Sequence, residues 1–200
     1  MLIGVDFDNT IADYEDVFHV AALERGLIAP DLPKGKSAVR DFLNSTGRKD
    51  EFTALQGYVY GARMDLARPY SGFCDFSAAA RAGRHEVFIV SHKTRFPLLG
   101  PQYDMHEAAR TFLRHHALSG DVSIPDNQIF FEKSEDQKIS RAITLGLDVF
   151  IDDLPGVLIK LKPKTCRRIL FAPDGSNSES DFEICRSWNE ITTLLFAARP

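Results

Sequence analysis

The sequence predicts an α/β fold in which a doubly wound, mainly parallel sheet carries a small helical cap inserted after the first strand. Three observations indicate this: five short apolar runs, helical periodicity between them, and an unusually long interval between the first two runs. The runs are almost continuously hydrophobic, which is typical of parallel strands covered on both faces. Strands that alternate with helices indicate right-handed βαβ crossovers.

The five predicted strands are short and rich in β-branched and aromatic residues. They span residues 2–7, 86–90, 128–131, 148–151 and 167–171. Continuous apolar runs of this length, flanked by helical patterns, are typical of buried strands.

Helical patterns lie between the predicted strands. Apolar residues recur at helical spacing over residues 105–116, and Asp104 with Glu107 resembles a capping box at the start of that helix. The same spacing follows Ser134, which is predicted to cap the next helix. Residues 73–83 are predicted to form the helix that leads into the second strand.

One interval does not fit a simple crossover. About 75 residues separate Thr10 from Glu86, far more than one crossover helix needs. We predict that residues 12–70 form the helical cap and that residues 1–11 and 71–200 form the core. The alternative is a long, decorated crossover without a cap function.

The composition excludes several classes of protein. The 200 residues include 24 Lys and Arg against 28 Asp and Glu, which gives a net charge of −4. This balance argues against a general nucleic-acid binder and against a protein of anionic membrane surfaces. Neither a secretory signal nor a membrane span is predicted. Three cysteines at unrelated spacings (Cys74, Cys166 and Cys185) are predicted to be reduced thiols of a cytoplasmic protein.

A pair of aspartates lies at the end of the first predicted strand, in the order Asp6-Phe7-Asp8-Asn9-Thr10. In an extended chain, side chains two residues apart point the same way. One carboxylate can then attack as a nucleophile while the other handles protons beside it. The alternative interpretation is a turn and a helix cap.

A second pair, Asp152 and Asp153, ends the fourth predicted strand. Ligands of open α/β sheets bind outside the carboxyl ends of the strands, so this pair should lie near Asp6. Mg²⁺ takes one or two protein carboxylates together with waters and phosphate oxygens. The pattern predicts a shared Mg²⁺ site, and its alternative is a polar turn.

A serine and two lysines are candidates for binding a phosphoryl group. Ser91 ends the second predicted strand, where its hydroxyl could bind a phosphoryl oxygen. A lysine would neutralise charge on that group. Lys133 lies just before the cap Ser134, and simple geometry favours it. Lys138 lies one turn into the helix, and both lysines stay open.

With these motifs the sequence resembles the haloacid dehalogenase-like hydrolase superfamily, in particular an uncharacterised phosphatase-like branch with a small helical cap. The similarity runs from Met1 to about Pro155, through DFDNT, IVSHKT, the lysine-bearing helix and FIDDLP. The resemblance implies a Rossmann-like core and a cap that closes over the substrate. An aspartate at position 8 favours phosphate esters over dehalogenation or phosphonate cleavage.

The resemblance also implies a role for each catalytic candidate. Asp6 would form an aspartyl-phosphate intermediate. Asp8 would act as general acid towards the leaving group and then as general base for water. Ser91 and a lysine would hold the phosphoryl oxygens, and the resembling branch favours Lys138 over Lys133.

The resemblance implies Mg²⁺ as the cofactor. The ion would be bound by the Asp6 carboxylate, the Asp8 backbone carbonyl and Asp152, with Asp153 in support.

The residues that would bind the rest of the substrate are indicated less clearly, since each has an alternative interpretation. His92 and Lys93 flank Ser91, although such neighbours often cap a helix or face solvent. In the cap, Tyr60 and Arg63 combine an aromatic ring with a cation, which is also compatible with cap core. Thr10 completes the set of substrate-binding candidates.

The predicted function is phosphomonoester hydrolysis on a small phosphorylated metabolite. We expect a monomer or weak homodimer, with neither nucleic acid nor membrane as a partner. The alternatives are a phosphotransferase, mutase or 5'-nucleotidase on the same core, or a non-catalytic metal-binding phospho-receiver module.

Overall fold

The computed structural model describes residues 1–116, 124–162, 166–175 and 182–197. The chain divides into two compact units. The first comprises Met1–Ala12, Pro69–His92 and Ala117–Pro200, and the second comprises Asp13–Arg68 and Lys93–His116.

The strands and helices alternate along much of the chain. The strands are β1 Leu2–Val5, β2 Ala12–Asp13, β3 Arg68–Pro69, β4 Glu86–His92, β5 Ile129–Glu132, β6 Val149–Asp152, β7 Arg167–Phe171 and β8 Glu183–Cys185. The α-helices are α1 Glu15–Glu24, α2 Lys36–Ser45, α3 Lys49–Tyr60, α4 Phe73–Ala82, α5 Met105–His116, α6 Glu135–Thr144, α7 Pro155–Lys160 and α8 Trp188–Phe196. Short 3₁₀ helices span Met64–Leu66 and Asp126–Gln128.

The first unit is built on a six-stranded parallel sheet in the order β5-β4-β1-β6-β7-β8. Strand β1 lies in the middle, and the chain builds outward from it first on the β4 side and then on the β6 side. The strand order reverses there, and ligands of doubly wound sheets bind at the carboxyl edge next to such a reversal. The predicted α/β fold with a doubly wound parallel sheet is confirmed.

The predicted elements are present with small shifts at their ends. Strand β1 stops at Val5 rather than at residue 7, and β4 continues to His92. Ser134 caps α6 as expected, since its Oγ accepts a hydrogen bond from the Gln137 backbone N–H at 3.2 Å. Strand β8 was missed because three residues are too few to show a pattern.

The second unit is helical and has its own apolar core. Helices α1, α2 and α3 pack on one another, and α3 also packs on α5. Tyr14, Phe18, Leu43 and Val59 are fully or almost fully buried in it.

Residues 93–116 of this unit lie outside the predicted cap range of 12–70, because the sequence-based division left them in the core. Their position follows from close packing against two glycines: Gly57 lies in α3, and Gly61 directly follows it. A Cβ on Gly57 would lie 2.5 Å from Pro97, and a Cβ on Gly61 would overlap Tyr103.

Within the described ranges, no helix combines the length and the apolar character that crossing a membrane requires.

Close packing at the centre of the sheet gives the first testable prediction. A Cβ on Gly4 of β1 would lie 2.6 Å from the ring of Phe150, its partner on β6, and would also overlap Leu147. Overpacking of a buried core costs about 1–3 kcal/mol. We therefore expect Gly4→Ala to lower the free energy of unfolding by about 2 kcal/mol, measured by urea denaturation.

Gly156→Ala is the matched control, because no atom lies within 4 Å of its added Cβ. This variant should unfold at the wild-type urea concentration or slightly above it. Equal stability of Gly4→Ala and wild type would contradict the packing argument.

Candidate active site

Polar residues from several elements meet at the carboxyl edge of the sheet. Asp6 directly follows β1, and its backbone N–H donates to the Ile151 carbonyl of β6 at 2.9 Å, which continues the strand pairing. Asp152 is the last residue of β6, and Asp153 follows it. Side-chain oxygens of the three aspartates lie within 4.8 Å of one another.

A buried lysine lies between two of these carboxylates. Lys138 Nζ is 2.6 Å from Asp6 Oδ1 and 2.6 Å from Asp152 Oδ2. Lys138 is 2% exposed, Asp6 4% and Asp152 0%. Charges this deeply buried occur in proteins when they are paired, so the three residues form one electrostatic unit.

Local structure places the lysine there. Helix α6 begins after its Ser134 cap, and Lys138 and Ala142, one turn apart, are its buried residues. Lys133 is exposed, and its backbone N–H donates to the Gln137 side chain at 3.1 Å. Of the two lysines left open by the sequence, the structure brings Lys138 to the carboxylates.

The pKa values show an excess of negative charge. Burial raises the pKa of Asp152 to about 7, with Lys138 opposing the rise and Asp6 adding to it. Burial and the neighbouring carboxylates of Asp6 and Asp152 raise the pKa of Asp153 to about 8. Burial acts to lower the pKa of Lys138, but Asp6 and Asp152 together raise it above its ordinary value. One ammonium does not neutralise three carboxylates.

The donor set suits a hard divalent cation. Among the described residues, Asp152 Oδ2 accepts no well-aligned hydrogen bond, although Lys138 Nζ is in ion-pair contact with it. Carboxylate oxygens are the ligands that Mg²⁺ prefers. Asp6, Asp152 and Asp153 can therefore hold such an ion.

The loop after β1 folds tightly. The backbone N–H groups of Ile11 and Ala12 both donate to the Phe7 carbonyl, at 3.0 and 2.9 Å. Asn9 adopts a left-handed conformation with φ of 59°, which asparagine tolerates better than most residues. Asp8, the predicted acid and base, is half-buried in this loop.

Thr10, which was predicted to bind substrate, contacts Asp153 with its side chain. The residue is fully buried, and its hydroxyl donates to Asp153 Oδ1 at 3.5 Å. Its backbone carbonyl accepts a hydrogen bond from Trp188 Nε1 at 3.0 Å. Sequence reasoning missed Trp188, because 178 residues separate it from Thr10.

Two of the predicted site residues, Ser91 and His92, are the last residues of strand β4 in the first unit. Ser91 is 1% exposed and pairs in register with Phe131 of β5. His92 is exposed and pairs in register with Glu132.

Lys93, Tyr60 and Arg63 belong to the second unit. Lys93 is buried, and its Nζ lies 4.6 Å from the centre of the Tyr60 ring. Lys36, which no motif marked, donates from Nζ to the Tyr60 hydroxyl at 2.9 Å. Arg63 pairs with Glu24 and, at 3.3 Å, with Asp65.

Comparison with known proteins rests on structure. No protein-family model matches the chain, and a search of curated proteins finds no relative.

Solved structures do match. A haloacid dehalogenase-like family hydrolase from Streptococcus pneumoniae is 15% identical, with 96% of this chain and 97% of that chain covered and a TM-score of 0.61. A HAD family hydrolase from Deinococcus radiodurans, determined with bound phosphate and sodium, is 16% identical, with 97% and 94% covered and a TM-score of 0.61. A predicted phosphoglycolate phosphatase from Haemophilus somnus is 14% identical, with 96% of each chain covered and a TM-score of 0.59.

The chain has the haloacid dehalogenase-like fold. The fold that the resemblance implies is thereby confirmed. In this haloacid dehalogenase-like fold, the predicted Asp6, Ser91, Lys138 and Asp152 all lie in the first unit, on β1, β4, α6 and β6 or directly after them.

The raised pKa of Asp153 gives a testable prediction about stability. The folded protein holds this carboxyl protonated up to about pH 8, whereas in the unfolded chain it ionises near 3.8. The unfolded state binds fewer protons in this window, so the metal-free protein loses stability as pH rises through it. Asparagine mimics the protonated form. We expect Asp153→Asn to raise the free energy of unfolding by about 2 kcal/mol at pH 8, and by much less at pH 5.

Thermal unfolding in EDTA at the two pH values measures this difference. Asp41→Asn, which changes an exposed carboxylate of α2, is the control and should leave the melting temperature nearly unchanged. An equal effect of Asp153→Asn at both pH values would be evidence against a raised pKa.

Proposed function

We propose that the protein is a Mg²⁺-dependent phosphatase that hydrolyses a small phosphorylated metabolite through an aspartyl-phosphate on Asp6. The observation that carries this proposal is the buried contact of Lys138 with Asp6 and Asp152, with Asp153 beside them. The fold supports it, because the neighbours include hydrolases, one of them determined with bound phosphate and sodium.

Asp6 is the proposed nucleophile. A carboxylate oxygen forms a bond to phosphorus while the bond from phosphorus to the ester oxygen breaks. Lys138 fixes one oxygen of Asp6 through the contact of 2.6 Å. A fixed nucleophile gives up less freedom in reaching the transition state.

Asp8 is the proposed proton carrier. It gives its proton to the departing ester oxygen, which leaves as an alcohol. It then takes a proton from the water that attacks phosphorus, and the bond between Asp6 and phosphorus breaks. Inorganic phosphate is released, and Asp6 and Asp8 return to their starting states.

Mg²⁺ would be held by the Asp6 and Asp152 carboxylates and the Asp8 backbone carbonyl, with Asp153 in support. When bound, the ion supplies positive charge to the transferring phosphoryl group. Ser91 and Lys138 would bind phosphoryl oxygens. Ser91 is the next-to-last residue of β4, and Lys138 of α6 contacts the carboxylates of Asp6 and Asp152 at the carboxyl edge of the sheet.

The remaining candidates, with the exception of Thr10, are proposed to bind the substrate. Thr10 supports Asp153 rather than binding substrate, as its hydroxyl contact indicates. His92, Lys93, Tyr60 and Arg63 stay candidates, and Lys36 joins them through its hydrogen bond to Tyr60. We further propose that the protein works as a monomer or weak homodimer in the cytoplasm, without nucleic acid or membrane.

Removal of the nucleophile tests the proposal. We expect Asp6→Asn to lower phosphate release by on the order of a thousandfold or more while the circular dichroism spectrum stays that of wild type. The assay uses sugar phosphates, nucleotides and p-nitrophenyl phosphate, with Mg²⁺ and with EDTA. Asp41→Asn makes the same exchange at an exposed residue of α2 and should keep the wild-type rate. Full activity in Asp6→Asn would rule out this nucleophile.

The two lysines form a second test with a built-in control. We expect Lys138→Met to lower the rate by about a hundredfold or more, because it removes charge stabilisation next to the phosphoryl group. Lys133→Met, which alters an exposed side chain of the same segment, should keep the wild-type rate. Steady-state kinetics on the best substrate of the panel decide between them. The reverse ranking would transfer the role to Lys133.

A further inference from the structure

A buried tryptophan binds the loop that carries the proposed catalytic residues. Trp188 Nε1 donates a hydrogen bond of 3.0 Å to the backbone carbonyl of Thr10. Both residues have no exposed surface. The hydrogen bond therefore joins the start of α8 to the DFDNT loop, and it is shielded from water.

The other hydrogen bonds of the loop show what this one adds. The Phe7 carbonyl accepts two backbone bonds within the loop, and the Ile11 carbonyl accepts one from the Tyr70 N–H at 2.9 Å. Thr10 lies between these anchored positions, and the indole N–H satisfies its carbonyl. A buried carbonyl left without a donor is costly, so the loop depends on Trp188 for this conformation.

The indole is fixed by its surroundings. The rings of Phe73, Phe76 and Phe171 lie 4.9, 4.7 and 5.5 Å from that of Trp188, centre to centre. Gly72 has φ of 88°, and a Cβ there would lie 3.2 Å from Trp188 Cβ. The Ser187 side chain caps α8. A side chain held on so many sides can act as a rigid support.

We propose that Trp188 is a positioning residue for the metal-binding carboxylates. It holds the Thr10 peptide, and the Thr10 hydroxyl donates to Asp153 Oδ1, one of the three clustered carboxylates. Two hydrogen bonds, one on each side of Thr10, thus connect Trp188 with Asp153. This inference rests on the proposed function, because it concerns the Mg²⁺ site of that function.

The test removes the hydrogen-bond donor of Trp188 and keeps an aromatic ring in its place. Trp188→Phe retains an aromatic ring against its neighbours but lacks the N–H. Loss of a group that orients a metal ligand typically lowers metal affinity 10- to 100-fold. We expect the Mg²⁺ concentration for half of the maximal rise in melting temperature to increase about tenfold, and excess Mg²⁺ to restore phosphate release.

Phe76→Leu is the matched control. It removes a ring that packs on Trp188 but leaves the indole N–H, so it should lower the melting temperature in EDTA without changing the Mg²⁺ midpoint. Thr10→Val removes the hydroxyl and keeps the carbonyl, and it should raise the midpoint as Trp188→Phe does. This variant carries the test if Trp188→Phe does not fold.

The outcomes separate the two claims. An unchanged Mg²⁺ midpoint in Trp188→Phe or in Thr10→Val, with wild type responding to Mg²⁺, would overturn the positioning role alone. A wild-type protein that Mg²⁺ does not stabilise would overturn the proposed function and this inference together.

Discussion

The contact of Lys138 with Asp6 and Asp152 is the interaction on which the site depends. It joins α6 to the ends of β1 and β6, the two strands that meet where the order of the sheet reverses. Buried ion pairs rarely add net stability, because desolvation offsets the attraction. Burial raises the pKa values of Asp152 and Asp153, and the negative charge of Asp6 adds to both rises. Such an arrangement costs stability, and its value lies in holding a reactive carboxylate beside a cation site.

Much of the fold could be predicted from the sequence, because parallel strands and amphipathic helices leave strong local patterns. The central strands are buried on both faces and therefore read as continuous apolar runs. The bounds of the second unit were harder to predict from the sequence. Residues 93–116 join this unit through close packing on Gly57 and Gly61. Contact of this kind depends on the absence of a side chain, and a single glycine in a helical pattern does not reveal its neighbour.

The site was predictable where a residue lies at the end of a strand or directly after it, as Asp152 and Asp6 do, because topology brings strand ends together. Lys138 required the periodicity of α6, since only helical phase separates it from the exposed Lys133. Trp188 carried no signal: its partner is a backbone carbonyl far away in the chain. The contacts of Thr10 with Asp153 and Trp188 could not be predicted, since hydrogen bonds of a tight turn form only in the folded chain.

Trapping of the covalent intermediate tests the central claim most directly. In Asp8→Asn, the nucleophile remains but the general acid and base is gone. The p-nitrophenolate group of p-nitrophenyl phosphate can leave without a proton from Asp8, so this substrate should phosphorylate the variant in the presence of Mg²⁺. The phosphorylated enzyme should then accumulate, because no base activates water. Acid quenching followed by mass spectrometry of the intact protein and its peptides locates the phosphoryl group. We expect one phosphoryl group on Asp6 in the variant and little in wild type, which turns over. An unmodified variant, a phosphoryl group on another residue, or an equally long-lived adduct in wild type would contradict it.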